Sequence, residues 1–151
     1  MKLMAEYWFY HLESATLEGV LPELLEKTLS KGWRALVKLP ESRLEELDEF
    51  LWTYRDDSFL PHGRDDKPQS DLQPINLSSN AQSSENRECV FLIDGEGMPI
   101  HKDTERCIIL INGRDESDVQ ASRKKWKSLK NAGETISYWK QSERGQWEKK
   151  S

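Results

Sequence analysis

Two short runs constrain this chain more than any other feature: Val90–Ile93 and Cys107–Ile111 are almost purely apolar. A strand with one wet face alternates polar and apolar residues, whereas an apolar run of this length suits a strand covered on both faces. Such strands belong to the centre of a sheet whose parallel neighbours are joined by crossovers. The first fifty residues supply the matching pattern. Glu6 to Leu12 (EYWFYHL) is aromatic and reads as a strand. Leu17, Val20, Leu21, Leu24, Leu25 and Leu29 then recur at spacings of three and four, one apolar face of a helix. Pro22 implies either a helix that starts near Val20 or one that bends, and Gly32 is a natural stop. Arg34 to Leu39 reads as a buried strand, and Glu41 to Trp52 as a second helix with Leu44, Leu47 and Leu51 on one stripe. Strand–helix–strand–helix is the mark of an α/β fold with a parallel sheet.

The remainder fits the same plan. Gly63 to Glu88 is polar and reads as a long flexible connection, with a short strand at Gln73 to Leu77. Gly95 to Asp103 is turn-rich. Asp115 to Ala132 reads as a third helix with Asp115 as its N-cap, Asp118 in the first turn and Gly133 closing it. Ile136 to Lys140 reads as a last strand, and the tail from Gln141 is polar except for Trp147. A length of 151 residues suits one domain, here residues 1–140, followed by a tail over 141–151. No run approaches the ~20 apolar residues of a membrane helix, and Met1 to Phe9 has no secretory h-region, so a soluble cytosolic domain is expected. Cys89 and Cys107 sit in strands and read as small buried hydrophobes.

The sequence offers no convincing catalytic constellation. Gly95-Glu96-Gly97 follows a strand, but Ile100 replaces the third glycine of a dinucleotide loop and Pro99 stands where a helix should open. Asp94 and Glu96 would repel phosphates, and no GxxxxGK[ST] occurs. His11, His62 and His101 have no metal spacing with one another or with the cysteines. No GxSxG elbow is present. A binding protein on an enzyme-like fold, with no cofactor and no metal, is the expectation.

Charge gives the binding reading its direction. Residues 120–151 carry nine Lys and Arg against three Glu, net +6, while residues 1–119 are net −11. In the third helix, Val119, Ser122, Trp126 and Leu129 form an inward stripe. Arg123, Trp126, Lys127 and Lys130 form an adjacent basic one, so Trp126 belongs at the boundary of core and water. A basic pair beside a half-exposed indole can hold a carboxylate while an apolar ring packs on the aromatic. The same spacing describes a core tryptophan flanked by solvated lysines. Aromatics among cations also stack the bases of single-stranded nucleic acid, though the acidic body of the chain opposes an extended track. Phe59 and Leu60, in an Asp- and Pro-rich turn after Trp52, are either tucked into the core or presented to a partner.

These segments, in this order, resemble the chi subunit family of bacterial DNA polymerase III. The residues that carry the resemblance are Leu47-Asp48-Glu49-Phe50-Leu51-Trp52, the Ser58-Phe59-Leu60-Pro61-His62 turn, and Arg123, Trp126 and Lys127 followed by Ala132-Gly133. The resemblance runs over nearly the whole chain. It implies a three-layer α/β/α, Rossmann-like domain with a mostly parallel central sheet and no nucleotide-binding loop. It further implies a non-catalytic accessory subunit of the replicative holoenzyme, a DNA-directed DNA polymerase, in the bacterial cytoplasm at the replisome. The implied partners are the acidic, phenylalanine-ending C-terminal tail of single-stranded-DNA-binding protein and the psi subunit or another component of the clamp-loader assembly, with DNA engaged only indirectly. By position, Arg123, Trp126 and Lys127, with Lys130 nearby, correspond to the tail site. Trp52 and Phe59, with Leu60 and Pro61, correspond to the psi contact. The rivals are a direct single-stranded nucleic-acid-binding module and a nucleotide-dependent enzyme on a Rossmann-like fold.

Overall fold

The computed structural model describes residues 6–12, 16–52, 62–64, 74–79, 87–93, 104–141 and 146–150. The expected alternation is present. In chain order the elements are β1 (Glu6–Leu12), α1 (Leu17–Ser30), β2 (Ala35–Lys38), α2 (Glu41–Trp52), β3 (His62–Arg64) and β4 (Ile75–Ser78). They continue with β5 (Cys89–Ile93), β6 (Arg106–Asn112), α3 (Glu116–Asn131), β7 (Thr135–Gln141) and β8 (Trp147–Lys149). The strands make one sheet in the order β3-β4-β2-β5-β6-β1-β7-β8. All pairings are parallel except that of β8 with β7, which is antiparallel.

Side chains alternate across this sheet and divide the core in two. On one face Tyr10, Val37, Ile75, Phe91, Ile108 and Leu110 pack with Leu21 and Leu25 of α1 and Leu44, Leu47 and Leu51 of α2. On the other, Phe9, Val90, Leu92, Cys107, Ile109 and Ile111 pack with Leu129 of α3, with Val119 and Trp126 half-buried against them. Helices on both faces of a mostly parallel sheet make a three-layer α/β/α domain. The two apolar runs pair with each other as β5 and β6, with Phe91 opposite Ile108. The two cysteines are free and buried, and they face opposite sides of the sheet: Cys89 lies toward α1 and α2, Cys107 toward α3. Burial pushes both thiols up to about 12, so they stay protonated and behave as apolar filler.

One local detail settles an alternative the sequence left open, and two depart from its reading. Helix α1 starts at Leu17, a turn before Val20, because the Thr16 hydroxyl caps it by accepting from the Gly19 N–H at 3.1 Å. Pro22 therefore lies inside the helix, where it lacks the N–H that would donate to the Glu18 carbonyl. Its burial compensates, since the apolar ring adds to the face turned inward. Strand β3 was not foreseen; three residues, His-Gly-Arg, carry no apolar period to reveal it. Strand β8 forms in the tail read as merely polar, and Trp147 anchors it, meeting the Tyr10 ring edge-on at 4.9 Å. The terminators behave as expected: Gly32 and Gly133 have φ of 80° and 78°, the left-handed geometry that ends α1 and α3.

Candidate binding surface on helix α3

Helix α3 is held at its start by its own acids. Asp115 accepts from the N–H groups of Ser117 (3.0 Å) and Asp118 (3.4 Å), and Asp118 accepts from the Asn112 N–H at 2.7 Å. This matters for the nucleotide reading. In open α/β sheets, ligands lie beyond the carboxyl ends of the strands, and phosphates sit on helix N-termini there. At the carboxyl end of β6 that position is filled by Asp115 and Asp118, which take the N–H groups and add negative charge. The turn from β6 into α3 is tight: a side chain at Gly113 would drive into the His11 ring and the Leu12 carbonyl. His11 itself is buried, with Nδ1 2.8 Å from the Tyr138 hydroxyl. The Gly95-Glu96-Gly97 loop and His101 lie outside the described residues, as do Phe59, Leu60 and Pro61 and the side chains of Trp52 and His62.

The second half of α3 carries the residues singled out from the sequence. Ser122 and Leu129 are buried, and Val119 and Trp126 are half-buried against the core. Arg123, Lys127 and Lys130 are exposed along the adjoining stripe. Arg123 and Lys127 have no ion-pair partner among the described residues, so their charge is available. Trp126 belongs to both stripes, as the spacing requires. Its indole N–H is buried without a hydrogen-bond partner among the described residues, so the ring stands with its polar edge inward. The Lys130 ammonium lies over the ring, 4.7 Å from its centroid. An arriving group therefore meets a ring that already carries the Lys130 ammonium, with no indole donor to bind it.

The electrostatic setting is local to this helix. Helix α3 has five Lys and Arg against two acids, net +3. Helices α1 and α2, across the sheet, are net −2 and net −4. What this arrangement can do chemically is bind: it offers positive charge and an aromatic surface for an anionic, partly apolar ligand. Among the described residues, no group of three or more His, Cys, Asp or Glu side chains is placed to hold a metal.

Sequence reasoning missed a second aromatic surface. Tyr10, Trp139 and Trp147 line a cleft of about 400 Å³ beside α1, on the face opposite α3. Its walls come from the two ends of the chain, Tyr10 and α1 on one side and Trp139 and Trp147 on the other. The unassigned Trp147 in a polar tail was the one sign of it.

Comparison with known proteins finds relatives of the chain. The family model described as "DNA polymerase III chi subunit, HolC" matches residues 4–137. A curated relative from Rickettsia prowazekii (strain Madrid E), described as "Probable DNA polymerase III subunit chi", is 27% identical over 94 residues. That alignment covers 62% of this chain and 57% of the relative.

Proposed function

Since this chain belongs to the DNA polymerase III chi subunit family, we propose that it is a non-catalytic accessory subunit that tethers the replicative polymerase to coated single-stranded DNA. The ligand is the acidic, phenylalanine-ending C-terminal tail of single-stranded-DNA-binding protein. One observation carries the reading: a half-buried indole with the Lys130 ammonium over its ring lies on the helix that also exposes Arg123 and Lys127. The terminal carboxylate meets Arg123 or Lys127, the terminal phenyl ring packs on Trp126, and upstream acids of the tail feel Lys130. Contacts of this kind are individually worth about 1–3 kcal/mol, so binding is weak to moderate and weakens with salt. The subunit then acts through effective concentration, holding the polymerase near its template without chemistry of its own. The connection to the clamp loader runs through the psi subunit. The residues assigned to it by resemblance are Trp52, Phe59, Leu60 and Pro61.

Titration of a peptide ending in Asp-Phe tests the tail site. Wild type binds; Trp126→Ala and Lys127→Ala each weaken binding; the same peptide without its phenylalanine binds poorly. Equal affinities for wild type and both variants would remove α3 from the site. Gel shifts with a bare oligonucleotide separate the tether from direct single-strand binding, since the tether requires the binding protein. For the second contact, Phe59→Ala weakens co-purification with psi, and an undiminished complex would refute that assignment.

A further inference from the structure

Five tryptophan side chains are described, and three of them carry a cation. The Arg106 guanidinium lies 3.8 Å from the ring centroid of Trp8 and 5.1 Å from that of Trp33. Lys31 stands 4.8 Å from the Trp33 centroid, and Lys130 4.7 Å from that of Trp126. Trp139 and Trp147 have no such partner among the described residues. These are the two that line the cleft beside α1, together with Tyr10, Gly19, Glu23 and Lys27.

We propose that this cleft receives a cationic side chain, an arginine on a basic segment of a partner protein. The rings have the required arrangement. Tyr10 and Trp139 lie nearly parallel, 13° apart with centroids at 6.2 Å, while Trp147 stands at 80° to Tyr10 with centroids at 4.9 Å. Ring surface is thereby offered from two directions, and the negative π faces attract a cation. Glu23 lines the cleft from α1 and provides the counter-charge, with no ion-pair partner among the described residues. A planar guanidinium suits a slot between rings and carboxylate better than a compact ammonium does. The cleft is large enough for it, at about 400 Å³. At longer range, the net −2 and −4 of α1 and α2 draw a basic segment to this face.

Lys27 opposes the occupant. It lines the same cleft one helical turn from Glu23, and its like charge weakens binding. Removing Lys27 therefore tightens the site, and neutralising Glu23 loosens it. The site lies across the sheet from Trp126, so its failure and that of the tail site are independent.

The test follows the indole N–H resonances of the full 15N-labelled chain during titration with acetyl-Ala-Arg-Ala-amide. The control is the same tripeptide with neutral, nearly isosteric citrulline. The expected result is a saturable shift at Trp139 and Trp147 but not at Trp126, and about tenfold weaker binding of the citrulline peptide. Glu23→Gln weakens binding by about five- to tenfold, and Lys27→Ala tightens it by about two- to fivefold. Both are exposed or rim substitutions whose retained fold is read from the same spectra. Trp147→Leu keeps an apolar anchor, removes the ring and abolishes the response. No saturable shift, an equal response to citrulline, a response confined to Trp126, or unchanged affinity in Glu23→Gln would each overturn the proposal.

Discussion

The two faces of the sheet use the same interior and opposite exteriors. Beneath α1 and α2, and beneath α3, the packing residues are the same kinds of Leu, Ile, Val and Phe, and adjacent residues of β5 and β6 serve the two sides in turn. Outside, the first pair of helices is net −6 and the third is net +3. Packing energy depends on area and shape and is indifferent to the sign of surface charge. The helices can therefore be charged independently of the core they cover. That separation lets one small domain present a cationic aromatic surface and an anionic aromatic cleft back to back.

The comparison breaks first in the core if the two sides are not alike. Leu21 is fully buried under α1, whereas Leu129 of α3 retains 9% of its exposure. Leu21→Ala should cost about 3–4 kcal/mol and Leu129→Ala about 2, read from urea midpoints. A larger loss at Leu129 would mean that α3 is the better-packed layer. The thiols probe both sides together. Their ordinary pKa of 9.0 is pushed up to about 12 by burial at Cys89 on one face and Cys107 on the other. Above pH 9 the unfolded chain loses thiol protons that the folded chain retains. Stability should then fall with rising pH, by up to about 1.4 kcal/mol per pH unit for each thiol, until the folded values are reached. Cys89→Ala and Cys107→Ala should each remove a similar share of that slope in urea titrations between pH 8 and 11. Unequal shares would show that one face admits water.

Smaller effects sharpen the contrast in surfaces. Trp126→Ala should weaken the tail peptide by about 1–2 kcal/mol in calorimetry, while Trp126→Phe keeps the ring and drops the unpartnered N–H. The phenylalanine variant should therefore bind nearly as well as wild type and be no less stable; a full loss of binding would make the indole itself the contact. The caps give the smallest difference. Asp115→Ala removes an acceptor of two N–H groups and should cost about 1 kcal/mol by thermal unfolding, and Thr16→Ala, with one bond to Gly19, about 0.5–1. Reversal of that order would indicate that the charge of Asp115 is offset elsewhere in its turn.

Much of this is legible in the sequence. The boundaries of β1 and α2 follow from composition and period alone, and the glycines that end α1 and α3 stand where a left-handed residue is required. On α3, spacing was sufficient to place Trp126 at the edge of the core with Arg123, Lys127 and Lys130 outside it. A helix repeats every 3.6 residues, so neighbours on its surface are encoded locally. Strand β3 and strand β8 escaped because three residues hold no usable period; their pairing with β4 and β7 comes from the sheet edges they meet. The start of α1 stayed open in the local reading because Pro22 allowed either a late start or a bend; the Thr16 cap sets it at Leu17.

The sequence by itself determined the α/β class, the order of the main elements, the cations of α3 and the acidity of α1 and α2, since each is a property of contiguous residues. Tertiary structure alone decided the strand order, the placing of Cys89 and Cys107 on opposite sides, and the meeting of Tyr10, Trp139 and Trp147 beside Glu23. Tyr10 meets Trp139 and Trp147 across more than a hundred positions, and no local period records which strands will be neighbours: register and crossover are settled when the two buried faces close over the sheet.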